Sequence, residues 1–256
     1  MELVETEKNL SEPKALRLVS DKREPSLFPH LEKQFVNFIF FRVNTEWRRL
    51  DEARKNQFKA EFAGVFDDFQ TELLLYNYSL VGFDSKADLM FWRIGESLDS
   101  LQEMTAKMFR TKFGSYLETA DNYLSITKKK MFVPPLENLN VEDRFHTIAG
   151  EKKYLFVYPC AKSRDWSEKT FEERENLIEE NFMVGRKFEN IKIHLTHAFG
   201  FAEQEFIVLF ETDEPKDFLA LAEELSQTQA SKTTLRGTPI YTCRQRSLIE
   251  CLDALG

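Results

Sequence analysis

Glycine, histidine and cysteine are all scarce in this 256-residue chain, with nine, four and three residues respectively. The glycines form no phosphate-cradling loop, and no glycine-flanked serine makes a nucleophile elbow. The histidines, His30, His146, His194 and His197, include no His-x-x-x-His pair of the kind that grips a metal from one helix face. The cysteines, Cys160, Cys243 and Cys251, have neither metal-type nor paired spacing. An odd, small number is what reduced thiols in a cytoplasm lead one to expect. No apolar run approaches the roughly 18 residues of a membrane-spanning helix. The stretch Met1–Pro13 is acidic and lacks the apolar segment of a secretory leader. Basic charge is in deficit too. A net charge of −8 argues against nucleic acid or an anionic membrane as the main partner, because both require clustered Lys and Arg.

What is present is an ordinary globular balance, 42% hydrophobic and 30% charged, and 24 phenylalanines. Residues 1–30 are polar and irregular and read as a flexible lead-in. From Gln34 the pattern is regular. Gln34–Val43 reads as a strand, and Ala53–Gln70 as a helix with Phe58, Phe62, Val65, Phe66 and Phe69 on one face. Leu73–Val81 and Ala87–Ile94 are strands around a Gly82-Phe83-Asp84-Ser85 turn. Leu98–Arg110 is a helix and Tyr123–Thr127 a closing strand. The same order returns about 118 residues later. Lys153–Cys160 is a strand, Thr170–Arg186 a helix, Ile191–Phe199 and Glu205–Glu211 strands around Gly200-Phe201, Lys216–Gln229 a helix, and Ile240–Cys243 a strand. Arg246–Leu255 adds a short terminal helix. Trp47 and Trp166 correspond, each at the start of a first helix.

This predicts an α+β fold of two tandem ferredoxin-like βαββαβ repeats, over 31–130 and 151–256, joined by a linker over 131–150 that contains Pro134-Pro135. Each repeat would carry helices on one face of an antiparallel sheet. The two bare faces would close on each other as a dimeric α+β barrel. The phenylalanines on these faces are most simply core.

Several strings are more specific. Tyr158-Pro159-Cys160-Ala161-Lys162-Ser163-Arg164-Asp165-Trp166, Met183-Val184-Gly185-Arg186-Lys187-Phe188, Gly200-Phe201 with Phe206–Glu211, and Thr238-Pro239-Ile240-Tyr241-Thr242 occur in this order. Together they resemble the chlorite dismutase / coproheme decarboxylase family over nearly the whole chain. The resemblance implies a cytoplasmic homo-oligomer, often a pentamer. Its C-terminal repeat would hold haem b or iron-coproporphyrin III between a helix and the sheet. The activities implied are coproheme decarboxylation, peroxidase-like chemistry or chlorite dismutation.

The family's iron-ligating histidine falls at Asn181 here, with Glu180 beside it but turned about 100° around the helix. A carboxamide is a poor substitute for the imidazole σ-donor. Read without the family, Leu177, Asn181, Val184 and Phe188 fall on one apolar stripe, so Asn181 meets a protein partner, a water or a ligand. The resemblance puts Gln229 where a carboxylate orients the histidine, and Ser226 where an arginine contacts a propionate. Ser231 keeps a small hydroxyl residue of that segment. Tyr158 matches the redox-active tyrosine of the decarboxylases, Lys162 the lysine that contacts a propionate, and Trp166 a shared packing residue. Read alone, Tyr158 is an ordinary strand tyrosine.

His194 lies thirteen residues after Asn181, the offset of the family's distal residue. Three roles stay open for it: a distal acid/base, the sole iron ligand from the opposite face, or a hydrogen-bonded structural histidine. Strand alternation puts Lys192, His194, Thr196 and Ala198 on one side and Ile191, Ile193, Leu195 and His197 on the other. His197 therefore reads as a core histidine. The absence of arginine at the distal position argues against chlorite dismutation itself. Two functions remain: a haem- or coproheme-dependent oxidoreductase with non-standard iron ligation, or a haem-free member acting as a small-molecule-binding or scaffold protein.

Overall fold

The computed structural model describes residues 33–127, 149–201, 203–235 and 239–256. The lead-in with His30, most of the linker with His146, and Thr238 lie outside the described residues. The first repeat runs β1 (Phe35–Val43), α1 (Glu52–Phe69), β2 (Leu74–Ser79), β3 (Leu89–Gly95), α2 (Leu98–Arg110) and β4 (Leu117–Ile126). The second runs β5 (Tyr154–Cys160), a one-turn α3 (Arg164–Ser167), α4 (Phe171–Gly185), β6 (Ile191–His197), β7 (Phe206–Thr212), α5 (Pro215–Ser226), a short α6 (Gln229–Lys232) and β8 (Tyr241–Gln245). A terminal α7 (Leu248–Asp253) follows.

The eight strands close into one antiparallel barrel in the order β1-β3-β2-β8-β5-β7-β6-β4. Read from its own last strand, each repeat contributes the same four-strand order, so the repeat visible in sequence is also a repeat of topology. Pairing inside a repeat is long, whereas the seams are thin. Tyr78↔Gln245 and Ser79↔Arg244 join β2 to β8, and Ile126↔His197 joins β4 to β6. The barrel is held shut mainly by what fills it, namely Phe38, Phe40, Tyr78, Trp92, Leu155, Val157, Leu209 and Tyr241. Phe40 stacks on Tyr241 across the repeats, with ring centroids 4.0 Å apart.

The turns follow from residue type. Gly82 (φ 80°) and Gly200 (φ 87°) adopt the left-handed backbone at matching hairpins, where a β-carbon is disfavoured. Trp47 and Trp166 are both buried in the one-turn segments before α1 and α4, set edge-on to Phe113 and Phe206. Two expectations change. The helix expected over Lys216–Gln229 stops at Ser226 and restarts at Gln229, because the Thr228 side chain accepts the N–H of Ser231 and caps a new turn. The closing strand expected at Tyr123–Thr127 starts earlier, at Leu117, and absorbs a bulge opposite Phe40 and Phe41.

The outer layers of the two repeats differ. On the first, α1 buries Phe62, Val65, Phe66 and Phe69 against Phe91 and Phe113, which leaves a solid aromatic layer. On the second, the layer splits into two smaller clusters, one around Phe156, Phe210 and Phe218 and one around Cys160, Trp166 and Phe206. Between them lies a cavity.

Candidate functional site

The cavity encloses about 320 Å³ between α4 and the outward face of β5, β6 and β7. This is at the lower end of the range for small-molecule pockets. The sheet provides its floor, with Ile193 and Leu195 from β6 and Phe206, Val208 and Phe210 from β7. From α4 come Leu177, Ile178, Asn181 and Phe182, and from α5 come Phe218, Ala222 and Leu225. The walls are therefore almost wholly apolar.

The polar groups gather toward one end. Tyr158 and Cys160 are two apart on β5, so they share the outward face, and Lys162 continues the series just beyond the strand. The ammonium of Lys162 sits 4.6 Å from the centre of the Trp166 ring. It donates to Thr234 Oγ1 at 2.9 Å and approaches the carbonyl of Ala230 at 3.5 Å. An isolated β-bridge between Lys162 and Thr234 fixes this corner. No carboxylate lies within ion-pair distance of Lys162 among the described residues, although the charge of Glu205 acts on it and opposes the effect of burial. Burial lowers its pKa below the ordinary lysine value. Burial pushes the Cys160 thiol up, and the nearby Lys162 and Thr234 only partly offset this, so the thiol stays protonated near neutrality.

Six of the residues singled out in the sequence line this space: Tyr158, Lys162, Trp166, Asn181, Ser226 and Ser231. Asn181 Oδ1 is buried and has no hydrogen-bond partner among the described residues, and the same holds for Trp166 Nε1. The two serines are occupied locally. Ser231 Oγ donates to the carbonyls of Ser226 and Thr228, each at 2.7 Å, and Ser226 Oγ donates to the Glu223 carbonyl at 2.6 Å.

Two expectations are corrected. Gln229 is exposed and does not line the cavity; its side-chain oxygen accepts from Lys232 Nζ at 2.9 Å. It orients nothing on α4 through its side chain. The link runs the other way: the Glu180 carboxylate accepts the backbone N–H of Gln229 at 3.0 Å and of Ala230 at 3.3 Å. Its charge is thereby committed to the start of α6.

The second correction concerns His194. Its side chain is 0% exposed, and Nε2 lies 2.8 Å from Glu211 Oε1 inside the barrel, with its ring beside Trp92. The alternation read from the sequence holds, but α4 covers the opposite face of β6. Ile193 and Leu195 face the cavity, and a β-sheet separates His194 from it. His194 is neither a distal acid/base nor an iron ligand for this pocket. His197 lies at the end of β6 with its ring edge-on to Phe206.

Cys160 and Thr234 were missed as cavity residues, although the two-residue spacing from Tyr158 marks Cys160 as sharing its face. Among the described residues no group of three or more His, Cys, Asp or Glu is placed to hold a metal ion. No helix there is long and apolar enough to cross a membrane.

Known proteins share this fold. The family model described as Chlorite dismutase matches residues 55–246. The coproheme decarboxylase of Staphylococcus carnosus (strain TM300) is 26% identical over 181 residues, covering 66% of this chain and 71% of that protein. The coproheme decarboxylase of Mycolicibacterium smegmatis (strain ATCC 700084 / mc(2)155) is 26% identical over 168 residues, covering 64% and 70%. Among solved structures, chlorite dismutase from Candidatus Nitrospira defluvii in complex with imidazole superposes with a TM-score of 0.75 at 23% identity, covering 86% of this chain and 94% of that one. The eight-stranded barrel, the order of its elements and the match across most of the sequence make this chain a member of the chlorite dismutase family.

Proposed function

We propose that the C-terminal cavity binds a carboxylate-bearing tetrapyrrole of the haem b or coproporphyrin class. The observation that carries this reading is Lys162, a half-buried ammonium with no carboxylate partner among the described residues, at the polar end of an otherwise apolar slot. Two relatives are named for their action on coproheme. A flat apolar ring suits the floor of Ile193, Leu195 and Val208, and a propionate suits Lys162.

The apolar lining suits an organic ring, whereas the donor set does not suit its iron. Asn181 is the one polar side chain that α4 turns into the cavity, and a neutral carboxamide is a weak donor to iron. Glu180 is engaged with α6, His194 lies behind the sheet, and His197 packs on Phe206 outside the cavity lining. The oxidoreductase reading, with non-standard ligation and with Tyr158 and Lys162 in the chemistry, would have to recruit Tyr158, Cys160 or Lys162 as the ligand. These side chains gather at the polar end of the cavity, and Lys162 is tied to Thr234. The pocket's chemistry is therefore that of holding a ring and its carboxylates. A cytoplasmic homo-oligomer, a pentamer as the resemblance implies, belongs to the same proposal, and light scattering of the purified chain tests it.

Titration with haem b and with iron-coproporphyrin III, followed by absorption, tests the binding reading. Saturable binding at micromolar concentrations, weakened by Lys162→Met, is the expected result. Binding no stronger than to albumin sinks it.

A further inference from the structure

We infer that this pocket recognises the tetrapyrrole by its ring and carboxylates alone, so that the metal-free macrocycle is as good a ligand as the iron complex. This inference rests on the binding reading above and names the ligand class more narrowly.

A metal at the centre of a ring lying between α4 and the sheet meets one helix-side polar atom, the Asn181 carboxamide, whose buried oxygen has no partner among the described residues. A neutral amide oxygen adds little to iron affinity. A metal-free ring keeps its inner N–H groups in the ring plane and asks nothing of Asn181, so loss of the metal forfeits only the weak donation a carboxamide could make. On the sheet side the ring meets Ile193 and Leu195. Neither handles a proton or polarises a bound oxygen species; His194 is behind the strand, bonded to Glu211, and His197, on the cavity-facing side of β6, lies past the lining with its ring edge-on to Phe206.

The remaining nucleophilic groups are Tyr158, Cys160 and Lys162 at the polar end, where the last two cluster with Thr234 and Ala230 at the rim. There they meet a carboxylate rather than the ring centre. Gly185 reinforces the point. A β-carbon there would come within 2.4 Å of Ile193 Cδ1, so α4 and β6 already approach closely at one end of the slot. The slot is thin and apolar across its width and charged at one corner, which is recognition by shape and carboxylate.

The test compares dissociation constants of the full-length protein for coproporphyrin III and iron-coproporphyrin III, measured by quenching of tryptophan fluorescence under identical conditions. The expected ratio is within about threefold of unity, with no Soret signature of a nitrogen-ligated iron in the iron complex. A preference for the iron complex of more than about thirtyfold overturns the inference while leaving tetrapyrrole binding intact. Binding of neither ring above the albumin level overturns both. In Asn181→His, iron-coproporphyrin affinity should rise at least about tenfold with a new Soret band, while metal-free affinity stays within about threefold. An equal change for both rings shows that residue 181 does not face the metal and overturns the inference. If that variant does not fold, the wild-type ratio still decides.

Discussion

The imidazole of His194 and the carboxylate of Glu211 lie 2.8 Å apart with neither side chain reached by solvent. Glu211 also accepts the backbone N–H of Gly150 at 3.1 Å and of Lys152 at 3.4 Å, so this pair ties β6 and β7 to the segment that enters β5. Removing one member leaves the other buried without its main partner. His194→Ala should cost about 3–5 kcal/mol in urea unfolding. It should leave porphyrin titration of the folded fraction unchanged, because the residue is outside the pocket. A variant with wild-type stability and lost porphyrin binding would return His194 to the site.

The same pair predicts an acid-side instability. Burial pushes the Glu211 carboxyl up, but the hydrogen bond and charge of His194 and the two backbone N–H groups more than offset it, leaving the pKa below the ordinary glutamate value. A depressed folded pKa means stability that is fully present above the unfolded value, about 4.3, and lost as pH falls through the folded one. Melting temperature should therefore drop between about pH 5 and pH 3, and the drop should be shallower in Glu211→Gln. Equal slopes for both proteins would remove Glu211 from the account.

Lys162→Met should reduce affinity for coproporphyrin III by about ten- to a hundredfold, the loss expected for one charge-assisted contact to a carboxylate. The methionine keeps the apolar stem against Trp166, so thermal stability should change little. Uroporphyrin-like rings with more carboxylates should show the same dependence, and a ring without carboxylates should show none. Fluorescence titration of the three ligand types checks this, and equal losses for all would mean that Lys162 acts through packing.

Gly185→Ala probes the thin end of the slot. The new β-carbon meets the tip of Ile193, a flexible terminus that gives way toward the cavity. Alanine also improves the helix by about 1 kcal/mol over glycine. Stability should therefore stay within about 1 kcal/mol of wild type, while tetrapyrrole affinity falls. A large destabilisation with unchanged affinity in the folded protein would place the strain in the α4 backbone instead.

The repeat was legible because the same order of strand and helix patterns returns about 118 residues on and each β-hairpin carries its glycine, and those two signals survive even where the two repeats share few residues. The split near Gln227 was not. Leu225-Ser226-Gln227-Thr228 contains neither glycine nor proline, and a capping threonine looks in sequence like any helix-surface residue. For β6, alternation gave two faces correctly but could not say which one α4 covers, because both are buried. Pocket-facing Ile193 stands twelve residues from Asn181 and barrel-facing His194 stands thirteen, so a one-residue difference in the connecting turn changes an acid/base into an alkane. Glu180 was hidden in a run of acids that resembles a solvated face. Its trace in the sequence is an α6 with no acidic residue in its own first turn, which leaves its N–H groups to a carboxylate from elsewhere.

Asn181 and the two serines were found as pocket residues through the family resemblance together with the apolar stripe of α4. The stripe alone gave a polar side chain among apolar ones. It could not show that the space beneath is hollow in the second repeat and solid in the first.

That contrast sets how α4 is anchored. On α1 four large apolar side chains are buried, whereas on α4 only Gly185 is. The Thr170 capping box secures its first turn and Glu180 staples its third to α6, with a void under the residues between them. A helix that borrows so little cohesion from its own sheet should exchange its amide hydrogens through small local openings rather than through collapse of the barrel. Whatever fills the void supplies the missing contacts, so ligand occupancy and the rigidity of α4 are two readings of a single equilibrium.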